Sequence, residues 1–154
     1  MPTALENIKS QIELIIKSVS GTGLVYNELI LTKTEQEFKT KFVKDKKINS
    51  IMFFQAPRKV TTEEGWTVEG VERTFVFFHY YGLNSDEHSG NRTENYLENL
   101  INAFNSNETL NDSVKSHFKM DLVANTPATF GGSTLVHFAM LEMTTEETND
   151  LDEI

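Results

Sequence analysis

Trp66-Thr67-Val68-Glu69-Gly70-Val71-Glu72-Arg73-Thr74-Phe75-Val76-Phe77-Phe78-His79-Tyr80-Tyr81 is the longest strand-like run in the chain, and its two halves carry different patterns. The first half alternates between apolar and polar residues, as a strand wet on one face does. From Phe75 to Phe78 every position is apolar, which places that half in the middle of a sheet with cover on both sides. The segment before it, Ile48 to Gln55, is also strand-like, with Ile51-Met52-Phe53-Phe54 at its centre. Pro57 to Gly65, between the two, is polar and turn-rich. Together they predict a long β-hairpin whose outer end, around Lys59 to Gly65, projects from the body.

Working outward, Thr3 to Val19 reads as a helix, because Leu5, Ile8, Ile12, Ile15, Ile16 and Val19 share one face. Thr3 with Glu6, and later Thr34 with Glu37, form capping-box pairs that satisfy backbone donors at helix starts. The second pair opens a short helix with Phe38 and Phe42 one turn apart. Ser20-Gly21-Thr22-Gly23 stops the first helix, Leu24 to Leu31 reads as a strand, and Lys44 to Lys47 as a loop. Asn91 to Phe104 is the clearest helix, with Tyr96, Leu97, Leu100, Ile101 and Phe104 in one stripe.

Phe118, Met120 and Leu122 alternate as a strand. Asn125 to Ser133, with Pro127 and Gly131-Gly132, reads as a turn. Leu135 to Met143 is the last apolar strand, and Thr144 to Ile154 reads as a loose acidic tail. No internal repeat or linker divides the chain. The expected fold is α+β: a single domain over residues 1–147, with a mixed or antiparallel sheet of roughly five strands, a long hairpin and helices packed on the sheet. Residues 148–154 are expected to form a flexible acidic tail.

The 154 residues suffice for one hydrophobic core, and eleven Phe supply much of it. There is no cysteine, so disulfide scaffolds, thiolate zinc sites and cysteine nucleophiles fall away together, as suits a reducing compartment. Met1-Pro2-Thr3-Ala4 leads into an amphipathic segment, not a signal peptide. No run reaches the ~18 apolar residues of a membrane span, so a soluble intracellular protein is expected, with no membrane partner.

The net charge of −9 is unevenly placed. Residues 1–60 hold ten Lys/Arg against six Asp/Glu, whereas residues 61–154 hold four against seventeen. The bland account is a solvated acidic surface. The sharper one is a molecule with a basic and an acidic face, suited to packing copies head to tail. Sequence-independent binding to duplex DNA is disfavoured at this charge.

The search for chemistry returns little. Gly-x-Ser-x-Gly, a phosphate loop and a dinucleotide fingerprint are all missing. His79 and His137 fall inside the two most apolar strands; a metal pair completed by Asp86 or Glu87 is weighed against a buried, hydrogen-bonded histidine, and the latter is preferred. Asp86-Glu87-His88 reads as an exposed loop, and His117 shows no constellation. The phenylalanines of the hairpin lack the interleaved basic residues of a base-stacking platform and read as core. Neither enzyme activity nor a catalytic, cofactor or metal site is expected.

The order of elements carries a resemblance. An N-terminal amphipathic helix ends in a Gly turn before Leu24-Val25-Tyr26, and a short helix ending in Phe42 precedes the hairpin. His79-Tyr80-Tyr81-Gly82-Leu83-Asn84-Ser85-Asp86 then leads to the helix around Tyr96 to Phe104, and Leu135 to Glu147 closes the run. From about Leu5 to Glu147 this layout resembles the tail-terminator proteins of long-tailed phages and prophages.

That resemblance implies a subunit of a ring, expected to be six-membered, that caps the tail tube, stops its polymerisation and offers a joining surface to the head connector. Its implied partners are copies of itself, the tail tube protein and the head-tail connector protein, with DNA passing through unrecognised. No cofactor is implied, and the location would be the virion neck after assembly in the bacterial cytoplasm. The hairpin residues Arg58, Lys59, Thr61, Glu63 and Glu64 are the candidate interface. Two alternatives stand beside this one: another neck, tail-completion or injection-device cap subunit, and an acidic binding protein of the immunity or antitoxin kind that masks a basic partner.

Overall fold

The first helix, α1 (Ala4–Ser18), starts where Thr3 Oγ1 accepts the Glu6 N–H at 3.1 Å and ends on Val19, which returns to extended backbone. The computed structural model describes residues 3–56, 59–62, 68–130 and 133–150. After α1 come β1 (Leu24–Tyr26), α2 (Glu35–Phe42), β2 (Val43–Lys44), β3 (Lys47–Gln55), β4 (Lys59–Thr62) and β5 (Val68–Gly82). A single 3₁₀ turn at Ser85–Glu87 leads into α3 (Ser89–Asn105), followed by β6 (Ser116–His117), β7 (Asp121–Phe130) and β8 (Thr134–Asp150). Trp66 and Thr67 of the long run lie outside the described residues.

The strands build one mixed sheet in the order β1-β3-β5-β8-β6. β4 continues β3 along the same edge of β5, and β6 and β7 follow each other along the free edge of β8. The sheet is therefore wide by about five strands, as the α+β reading expects. β1 pairs parallel with β3, and the other pairings among the described residues are antiparallel. β5 and β8 form the central ladder, in register from Gly82 with Val136 to Val68 with Asp150.

The apolar run Phe75–Phe78 has helices over both sides of the sheet, completely on its odd face and in part on its even face. Phe75 and Phe77 join Ile51, Phe53, Leu141 and Met143 against Ile8, Ile12 and Ile16 of α1 and Leu97, Leu100 and Phe104 of α3. On the opposite face Phe78 and Tyr80 join Met52 and Val136 against Phe38 and Phe42 of α2, with Phe130 of β7 stacked on Phe38. Gly21 takes φ +91° after α1, a conformation that suits glycine at a helix stop. Gly23 lets β1 come close to β3, since a Cβ there would lie 2.0 Å from the Asn49 carbonyl oxygen.

Five segments differ from expectation. Phe118, Met120 and Leu122 do not share one strand: residues 118–120 join β6 to β7, and Met120 is buried while Phe118 and Leu122 are exposed. Leu24–Leu31 is a strand only as far as Tyr26; beyond it Leu31 is 79% exposed, on a loop that runs to α2. Lys44–Lys47 is not an open loop but a tight hairpin between β2 and β3, with Asp45 and Lys46 both at positive φ (54° and 65°) as a type I′ turn requires.

The expected turn Asn125–Ser133 is largely strand: β7 pairs with β8 through Phe130, and Pro127 fits because β7 is an edge strand. The expected loose tail is paired as far as Asp150, where β8 ends; residues 151–154 lie outside the described residues. Thr145 is 0% exposed there and donates its hydroxyl to the Arg73 carbonyl, so the acidic composition hides a strand with a buried side.

Candidate functional site

Of the five hairpin residues named as the candidate interface, the structure places two. Lys59 and Thr61 lie in β4, opposite Glu72 and Gly70 of β5. Arg58, Glu63 and Glu64 lie outside the described residues. β4, β5 and β8 together form a three-stranded ribbon. At Val68–Gly70 it runs past Glu146, the last residue of β8 that β6 pairs with. The projecting hairpin is thus thickened by a third strand, which the reading of residues 148–154 as a tail did not contain.

At the root of the ribbon Arg73 is almost buried. Its Nε–H donates to Glu147 Oε1, and its Nη1–H donates to Gln55 Oε1 at 3.3 Å. A guanidinium out of water needs such partners, and here they come from β3 and β8, the two strands beside β5. This ion pair joins the ribbon to the body. Arg73 was visible in the sequence as the only cation near the aromatic run, but its partner lay in the segment read as a tail.

The histidines occupy the other end of the sheet. His79 and His137 sit on neighbouring strands and the same face, one pleat apart. His79 is 1% exposed and, against the expectation, carries no hydrogen bond on either ring nitrogen among the described residues. Burial, with a smaller push from His137, lowers its pKa to about 3, so it stays neutral and packs as an aromatic against Tyr96.

His137 Nε2 lies 2.8 Å from Ser89 Oγ, which also accepts the Asn84 N–H at 2.9 Å. A serine nucleophile needs its base oriented by a third group. Among the described residues no side chain bonds the other ring nitrogen of His137, and Ser89 itself is buried. The arrangement acts as a clasp between the start of α3 and β8. The sequence carried no signal for it, because Ser89 and His137 meet only through the fold.

Asp86 and Glu87 are exposed in the 3₁₀ turn, and His88 follows at φ 57°. No group of three His, Asp or Glu among the described residues is placed to hold a metal ion. His117 has a structural part: its Nε2 lies 2.8 Å from the Phe104 carbonyl oxygen, at the end of α3. Among the described residues no helix is long and apolar enough to cross a membrane.

No protein-family model matches the chain, and no curated protein sequence is significantly similar to it.

The sheet face that carries α2 is covered only in part. α2 lies over the end at Tyr80 and Val136. Phe138, across from Tyr80, and Phe78 and Phe54, nearer the ribbon, remain partly exposed, with ring centres 5.4 and 5.3 Å apart along the row, and Met140 beside them. Phe54 and Phe78 were read from the sequence as core, and this half of the face is the part of that reading the structure amends.

Proposed function

We propose that this chain is a structural subunit that assembles with copies of itself into a ring capping the end of a phage tail tube. In that role it stops tube growth and offers its other side to the head connector. The observation that supports it best is the three-stranded ribbon of β4, β5 and β8, clamped at its root by Arg73 and Glu147 and running past the helix-covered core. A stiff paired arm of this kind can reach a neighbouring subunit without the ordering cost of a loop. The layout that resembles tail terminators and the split of charge between residues 1–60 and 61–154 agree with it.

A binding role without catalysis follows from the same reading, with the tube protein and connector as partners and the virion neck as its place. The test is the mass of the protein in solution by light scattering, across concentration and salt. A closed species near six times 17.6 kDa supports the ring. A strict monomer that also fails to bind a tail tube would remove it and leave the acidic binding protein, whose supporting observation is the seventeen acidic residues of positions 61–154.

A further inference from the structure

The partly open half of the α2-bearing face combines two features. Phe54, Phe78, Phe138 and Met140 give it an apolar surface that is not fully withdrawn from water. Glu142, two residues beyond Met140 on β8 and opposite Val76, lies on the same face and brings negative charge to its border. Contiguous apolar surface with a charged rim is the anatomy of a protein-binding site. The occupant that fits must bring an exposed apolar side chain flanked by cations.

The chain itself carries such a surface. Leu31, at 79% exposed, is the most exposed of its large apolar residues among those described. Leu31 shares a surface depression with Thr34, Gln36, Glu37, Thr40 and Lys41 on the outer side of α2. Lys33 is two residues away, and Lys33 and Lys41 are both exposed. Leaving a leucine this bare gains nothing within one copy, whereas docking it would withdraw its side chain from water.

We infer that copies of this chain join head to tail, the Leu31–Lys33–Lys41 surface of one docking on the Phe54–Phe78–Phe138–Met140 face of the next, beside Glu142. This inference rests on the reading of the chain as a self-assembling subunit and names the surfaces it uses. The two surfaces are different, so each copy keeps one free for a further neighbour, which is the condition for a ring. Charge then favours this pairing, since Glu142 of one copy meets Lys33 and Lys41 of the next.

The chain lacks cysteine, which makes a crosslinking test clean. A Leu31→Cys chain is mixed with a Met140→Cys chain under mild oxidation, and the wild-type mass is followed in parallel by light scattering. The expected result is a disulfide-linked heterodimer at least tenfold in excess over either homodimer, reduced at least tenfold when Glu142→Lys is added to the Met140→Cys chain. A wild-type protein that self-associates while the heterodimer shows no excess overturns the surfaces and leaves the assembly reading standing. A protein that neither self-associates nor crosslinks overturns both. Excess of the Leu31→Cys homodimer would overturn the head-to-tail arrangement in favour of a two-fold one.

Discussion

The imidazole of His79 stacks on the ring of Tyr96, with 4.9 Å between centres and 27° between planes, while neither of its nitrogens is hydrogen-bonded among the described residues. A histidine placed this way is an aromatic core residue as long as it stays neutral. The titratable groups around it are Tyr96, Tyr81 and His137, and the charge of His137 also opposes protonation.

Stability should therefore fall in mild acid. The folded pKa of His79 is about 3, below the ordinary value of 6.5, so between those two pH values the unfolded chain binds the proton and the folded one does not. The contribution is intact above pH 6.5 and is lost as pH falls, by up to about 1.4 kcal/mol per pH unit. Urea unfolding at pH 7 and pH 5 should show about 2 kcal/mol of this loss in the wild type and none of it in His79→Phe. Equal acid sensitivity in both proteins would mean that His79 finds a proton partner.

Phe77 and Leu100 lie in the core between the sheet and the α1/α3 layer, and neither is exposed. Phe77→Ala should cost about 3–5 kcal/mol and Leu100→Ala about 2–5 kcal/mol in chemical denaturation. A loss below about 1 kcal/mol at either site would contradict the packing described here.

Arg73 and Glu147 should behave as a pair. Glu147→Ala leaves a buried guanidinium with only Gln55 and should cost about 3–5 kcal/mol. Replacing both, as Arg73→Met with Glu147→Leu, should come close to neutral. A double-mutant cycle measures the difference; simple additivity would place the pair in water.

The double replacement Arg58→Ala and Lys59→Ala should keep the urea midpoint and weaken assembly, read as a shift of the scattering mass toward the monomer. Full assembly in that variant would take the hairpin out of the interface.

The parts legible in the sequence were those fixed by local pattern. Phe75 to Phe78 is apolar on consecutive positions, and the structure covers one of its faces fully and the other in part. Thr34 accepts the Glu37 N–H as its spacing foretold, although the Glu37 carboxylate reaches the N–H of Lys33 and not that of Thr34 itself. The segments misread were those that depend on a distant partner. Pro127 looks like a breaker until β8 pairs it on one side only. Thr145 looks like part of a solvated tail until Arg73 supplies a hydrogen bond and the strand beside it. The same holds for the candidate site: Ser89 and His137 are 48 positions apart, and no spacing rule joins them.

The central ladder also fixes an order of events during synthesis. β5 is complete once residue 82 has been made, yet β8, which covers its second edge, begins only at residue 134. Until then the phenylalanine-rich strand has β3 on one side and an open row of backbone donors and acceptors on the other. Closing that gap joins segments far apart in the chain, which makes it a late and comparatively slow step. Helix α3, made in the interval, can shield one face of β5 but not its edge. A ribosome stalled before β8 would thus release a chain primed to pair with its own kind, and the wait for the last strand is the interval in which this protein most needs a chaperone.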